Sequence, residues 1–110
     1  MAYVPVPSLK KRLDEFMRQP SVATQLPMLE PYIRKWSPDN RVENFHCPVF
    51  IYHSRDDSNS PFQDSKEFCD QLMAAGKTVK LVAGTRGGHY QSMVDEGIPS
   101  AIQWLNSNAK

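Results

Sequence analysis

The sequence predicts an α/β fold, and three consecutive segments carry that expectation. Pro48-Val49-Phe50-Ile51-Tyr52-His53 is a short, nearly continuous apolar run of β-forming residues, the pattern of a strand buried on both faces. Ser60 to Gly76 holds an apolar stripe at helical spacing between a start signal and a stop signal. Thr78-Val79-Lys80-Leu81-Val82 returns to β-forming residues. A strand, a helix and a strand in this order give two parallel strands joined by a right-handed crossover.

With 110 residues, only one domain fits around a single core. An apolar fraction of 40% with 23% charged residues suits a folded globular chain rather than a disordered tail. Thirteen basic residues against twelve acidic ones leave a net charge of +1 with no single-sign block, which argues against nucleic acid or anionic lipid as a partner. The longest apolar runs are far short of a bilayer span, and no basic-then-apolar leader follows Met1, so the expected location is the cytoplasm.

Two regions are expected, a helical segment over residues 1–36 and an α/β segment over 37–110. In the first, Pro5 and Pro7 hold the opening extended. Ser8 then caps a helix whose Leu9, Leu13, Phe16 and Met17 share a face, read as core. Ser21 is expected to cap a second pattern, with Val22, Leu26, Leu29, Ile33 and Trp36 on one face and Pro27 and Pro31 breaking it into two pieces. Ser37-Pro38-Asp39-Asn40 reads as a turn.

In the second region, Ser60 and Gln63 have the spacing of a capping box, and Pro61 is expected at the first helical position. Phe62, Phe68, Cys69, Leu72 and Met73 form the apolar face, and Gly76 ends the helix. Gly84, Gly87 and Gly88 loosen the next loop. Ile98, Ala101, Ile102 and Leu105 then mark a last helix with Pro99 near its start. Cys47 and Cys69 are read as reduced core thiols, and His46 beside Cys47 makes a poor metal clamp, because neighbours in an extended chain point apart.

Chemistry in an open α/β sheet gathers beyond the carboxyl ends of its strands. The first strand is followed there by Asp56, Asp57 and Asn59, and the second by His89. Parallel strands bring both loops to the same end of the sheet, so a carboxylate and an imidazole 32 positions apart (89 minus 57) can meet. That is the arrangement of a base and the acid that orients it. Asp56 reads as a solvated loop carboxylate, His53 as a hydrogen-bonded core histidine, and Tyr90, Met93 and Trp104 as packing residues. Ser54, Ser58, Ser60 and Ser92 lie nearby, but none follows the strand-to-helix pattern of a nucleophile.

His53-Ser54-Arg55-Asp56-Asp57-Ser58-Asn59-Ser60-Pro61 resembles the H-G-x-x-D-x-x-V-P segment of α/β-hydrolases, especially the prolyl oligopeptidase and dienelactone hydrolase branches, and Gly88-His89 resembles their G-H motif. Ser37-Pro38, Ala74-Ala75-Gly76 and Trp104-Leu105 extend the likeness over roughly residues 34 to 108. The resemblance implies a partial α/β-hydrolase fold in which Asp57 and His89 are the acid and base of a catalytic triad and Asn59 is a substrate contact. Ser54 and Ser60 stand where the motif has glycine and valine. There is no G-x-S-x-G, hence no nucleophile elbow.

The expected function is therefore the C-terminal segment of a serine hydrolase, acting in its intact parent on a peptide or an ester and needing no cofactor. Either an excised piece or a gene remnant with its own role fits that reading. The alternative is a non-catalytic domain of hydrolase descent that binds a partner or itself. A homodimer or higher oligomer is expected, through residues 49 to 53 or the first two helices, because one edge of the first strand lacks a certain neighbour; the other possible cover is the Tyr3 to Val6 segment.

Overall fold

A computed structural model of the chain describes residues 2–3 and 7–108. Three parallel strands form the sheet in the order β1 (Ala2–Tyr3), β2 (Val49–Ser54) and β3 (Val79–Gly84). β2 lies in the centre with Val49 opposite Val79 and Ser54 opposite Gly84, and Ala2 and Tyr3 pair with Ile51 and Tyr52 on its other side. The edge of β2 is thus occupied by the chain's own N-terminal residues; the expected continuation through Val4 to Val6 lies outside the described residues.

Alternation along β2 sends its side chains into two cores. Val49 and Ile51 meet Phe68, Cys69 and Leu72 of helix α4 (Phe62–Ala74) on one face. Phe50 and Tyr52 meet Ala101 and Trp104 of helix α5 (Ile98–Asn108) on the other. A strand covered on both faces needs apolar residues at every position, which is why this segment runs without the polar alternation of a one-sided strand. All six of its residues are buried within this chain, and β1 takes its backbone edge at Ile51 and Tyr52. Fully burying a side chain such as Leu72 contributes about 1.5–3 kcal/mol.

The ends of α4 follow from backbone demands. Gly76, at φ +73°, takes the left-handed turn after the helix, and the N–H groups of Gly76 and Lys77 return to the carbonyls of Met73 and Leu72, closing a Schellman motif. The capping box does not form, because the Ser60 N–H is committed to Asp57 and its carbonyl to His53; Pro61 is the N-cap and the helix begins at Phe62. Met73 is exposed rather than part of the buried face.

Before β2, helices α1 (Leu9–Met17), α2 (Pro20–Gln25) and α3 (Leu29–Trp36) follow the expected punctuation. Ser8 caps α1 by accepting the Lys11 N–H. The N-cap of α2 is Gln19 with Pro20 in its first turn, not Ser21, because the proline supplies the fixed φ of a helix start and needs no amide bond. Pro31 falls in the first turn of α3, where it kinks nothing. Only Val22 and Ile33 of this region's helices are buried, so the Leu9, Leu13, Phe16 and Met17 stripe is not core: it is half-buried to exposed against the neighbouring short helices.

Polar contacts fasten these helices to the α/β segment. Leu9 N–H donates to the buried Ser37 hydroxyl at 2.9 Å, Lys11 pairs with Glu67 on α4, and Arg12 donates to the Asn59 carbonyl at 2.9 Å. Cys69 is buried, which pushes its thiol up to about 11, whereas Cys47 is exposed and not a core thiol, since it precedes the strand in the irregular approach.

Candidate functional site

Both loops of interest leave the carboxyl ends of β2 and β3. The strand ends are tied together by the Arg55 N–H, which donates to the Gly84 carbonyl at 2.8 Å. The chain turns at once after β2, and Asp57 folds its carboxyl back over that turn. Its Oδ1 accepts the N–H of Asn59 at 2.8 Å and of Ser60 at 2.9 Å. Asparagine and aspartate form such turns because the short side chain reaches amides two and three residues on.

The other oxygen of Asp57 faces the second loop. His89 Nδ1 lies 2.9 Å from Asp57 Oδ2, with the carboxylate side chain wholly buried and the imidazole 24% exposed. An ionised carboxylate only accepts, so Nδ1 carries the proton in this contact. Nε2 of His89 makes no hydrogen bond among the described residues, and Tyr90 meets the ring edge-on at 4.7 Å. Burial works to raise the Asp57 carboxyl, but the Ser60 N–H, the His89 ring and the Asn59 N–H outweigh it and hold the group below its ordinary value.

His53 is fully buried on the α4 side of the site, as read from the sequence. Its Nε2–H donates to the Ser60 carbonyl at 2.8 Å, and Nδ1 meets the Ser65 hydroxyl at 2.7 Å. Nε2 also lies 3.3 Å from Asp57 Oδ2. The ring therefore braces the loop that carries the carboxylate.

Asp56 is exposed, as read from the sequence, and is also bonded to the second loop. Its Oδ2 accepts the Gly87 N–H at 3.1 Å and its Oδ1 the Gly88 N–H at 2.9 Å, and the buried Ser54 hydroxyl also donates to it. These donors, the Ser54 hydroxyl first, hold its pKa below the ordinary value. The residue pairs it joins were visible as a doublet of acids after one strand and a doublet of glycines after the next, yet nothing in the sequence said that they met.

The Ser54 and Ser92 hydroxyls are committed elsewhere, Ser60 is buried, and Ser58 is exposed. The Ser92 hydroxyl donates to the Gly88 carbonyl, Ser54 to Asp56, and Ser60 is buried with its backbone bonded to Asp57 and His53. Asn59 is exposed and engages Asp57 and Arg12 through its backbone. Tyr90 is 69% exposed, so it is no packing residue, whereas Trp104 packs on Phe50 at 5.5 Å. Among the described residues, no three His, Cys, Asp or Glu side chains converge as a metal-binding group, and no helix is long and apolar enough to cross a membrane.

The sequence model of the prolyl oligopeptidase family matches residues 12–109, taking in α1 from Arg12 onward, α2 and α3 as well as the loops with Asp57 and His89. Comparison with curated proteins returned no match. Among solved structures, the uncomplexed acylaminoacyl peptidase of Pyrococcus horikoshii is similar over 74% of this chain, with 23% identity and a TM-score of 0.63. An acylaminoacyl peptidase in complex with Z-Gly-Gly-Phe-chloromethyl ketone is similar over the same share, with 22% identity and a TM-score of 0.62. An esterase of Pyrococcus furiosus is similar over 92% of the chain, with 14% identity and a TM-score of 0.56. The chain spans 14% of the length of the two peptidase chains and 39% of the esterase chain. At these identities the likeness establishes an α/β-hydrolase fold, of which this chain has part.

Proposed function

The chain belongs to the prolyl oligopeptidase family, and on that premise we propose that it supplies the acid and base of a serine hydrolase site acting on a peptide or an ester. The serine nucleophile in this reading comes from outside these residues, which contain no G-x-S-x-G. The observation that carries the proposal is the 2.9 Å contact from His89 Nδ1 to a buried carboxylate oxygen of Asp57, with Nε2 left without a partner among the described residues.

In the assembled site, His89 Nε2 takes the serine proton as the serine oxygen attacks the acyl carbon. The imidazolium is stabilised by Asp57, and the same nitrogen then returns the proton to the departing amine or alcohol. Water, activated by the same base, releases the acyl group. Asn59, exposed beside the acid, is the candidate substrate contact, and the reading calls on no cofactor.

Nitrogen-15 NMR of the His89 ring tests the proton's position. The Nδ1–H tautomer is expected in the wild type and its loss in Asp57→Asn, while an Nε2–H tautomer in the wild type overturns the assignment of acid and base. The chain by itself is expected to show no turnover of a p-nitrophenyl ester; turnover that His89→Ala abolishes would overturn the absence of a nucleophile.

A second reading, a non-catalytic domain of hydrolase descent that associates with itself, is favoured by one observation. Ile98, Ile102 and Leu105 follow one another at helical spacing along α5 and are 39%, 52% and 40% exposed.

A further inference from the structure

We propose that Asp56 is a positioning residue for His89, clamping the glycine turn of the second loop to the first so that the imidazole meets Asp57. The proposal rests on the reading of His89 as a base, and adds to it the group that sets where the base stands.

Gly87 and Gly88 lie at φ +104° and +63°, conformations that glycine enters freely and leaves as freely. Two consecutive residues of this kind do not by themselves hold the following histidine in one place. Their successive N–H groups form the concavity in which an anion sits, and the Asp56 carboxylate fills it, one oxygen on each amide. On the far side, the turn is fixed to Ser92, whose N–H donates to the Gly87 carbonyl at 3.2 Å and whose hydroxyl donates to the Gly88 carbonyl.

Adjacent acids thus grip adjacent residues: Asp56 takes Gly87 and Gly88, and Asp57 takes His89. Because one peptide unit separates the two acids, a shift of either loop along the sheet edge would break both contacts together. Ser54 completes the clamp. Its buried hydroxyl donates to Asp56 Oδ1, the oxygen that also takes Gly88, and so aims the carboxylate across the gap between strands. Glycine at that position would have no such donor. Arg55, the cation next along the chain, lies over the Phe62 ring at 4.8 Å and leaves the glycine amides as the partners of Asp56.

The test uses the whole chain and NMR. In Asp56→Ala, exchange of the His89 Nδ1 proton with solvent is expected to quicken at least tenfold and the Gly87 and Gly88 amide protons to move upfield, while protection of the β2 and β3 amides stays as in the wild type. Ser54→Gly, which removes the donor to Asp56 together with its Cβ, is expected to quicken that exchange two- to threefold and serves where the alanine variant does not fold. Asp57→Asn is the control for the pair itself. If the Nδ1 proton of the wild type is indifferent to Asp57→Asn, the functional reading falls and this proposal with it. If it responds to Asp57→Asn but not to Asp56→Ala or Ser54→Gly, only the positioning role falls. A uniform loss of protection over both strands in each variant would make Asp56 a general support of the fold and overturn the proposal as well.

Discussion

His53 Nε2 lies 3.3 Å from Asp57 Oδ2, the same oxygen that receives the Nδ1–H of His89. The Ser60 carbonyl can only accept, so the proton on His53 Nε2 points to that carbonyl and to the carboxylate beside it, while Nδ1 is closed off by the Ser65 hydroxyl. A helix side chain thereby orients a strand side chain, which holds the acid loop. Ser65→Ala leaves Nδ1 of a fully buried ring without a partner and is expected to cost about 1–3 kcal/mol in urea unfolding. An unchanged midpoint would show that the Ser65 contact contributes nothing.

The Asp57 carboxyl titrates below its ordinary value of 3.8 because its amide and imidazole donors outweigh its burial. A carboxyl whose folded value lies below its unfolded value adds stability that is fully present above about pH 4 and is lost as pH falls through the folded value. Asp57→Asn is therefore expected to be less stable than the wild type by about 1–3 kcal/mol at pH 7, with the gap narrowing below pH 4. Unfolding curves at pH 7 and pH 3 give the two differences, and a gap that widens on acidification would contradict the account.

At the end of β3, the constraint is steric. A Cβ on Gly84 would collide with the Tyr52 hydroxyl and come within 3.1 Å of Glu96 Oε2, the group to which that hydroxyl donates at 3.1 Å. Tyr52 is fully buried and cannot step aside without opening the α5 core. Gly84→Ala is expected to lower stability by roughly 1–3 kcal/mol and the melting temperature accordingly. Gly76→Ala is the comparison, since its Cβ meets nothing within 4 Å and only the left-handed φ is penalised.

The sheet's centre and the site's principal pair were legible because each rests on a local pattern combined with one topological rule. A continuous apolar run announces a strand covered on both faces, and parallel strands put their following loops at one end, which is enough to bring residues 57 and 89 together. What failed depends on partners that no local pattern names. Ser60 looks like a helix cap, but its amide and carbonyl are spent on Asp57 and His53. Asp56 is exposed, as its pattern says, but its bonds to Gly87 and Gly88 reach 31 and 32 residues along the chain, which no local pattern shows. The stripe of α1 has core periodicity, yet the short helices around it offer too little surface to bury it.

Association is decided by the same scarcity of cover. β1 removes the open edge of β2 at Ile51 and Tyr52, so pairing through that edge loses its motive. Two exposed features are left. β3 is the outer strand, with no neighbour beyond it among the described residues, and Ile98, Ile102 and Leu105 line α5 in water. A helical stripe of three large aliphatic residues is self-complementary about a two-fold axis, because the same face can serve both copies. Placing Ile102 at the centre lets Ile98 and Leu105 of each copy flank the other's middle residue. The expected outcome is a particle of twice 12.5 kDa by light scattering behind size exclusion at micromolar concentration. Ile102→Asp should return it to 12.5 kDa with an unchanged circular dichroism spectrum, since that side chain is more than half exposed and its loss leaves the Phe50, Tyr52 and Ala101 core intact. A wild-type chain that remains at 12.5 kDa up to 100-fold higher concentration would remove the self-associating reading.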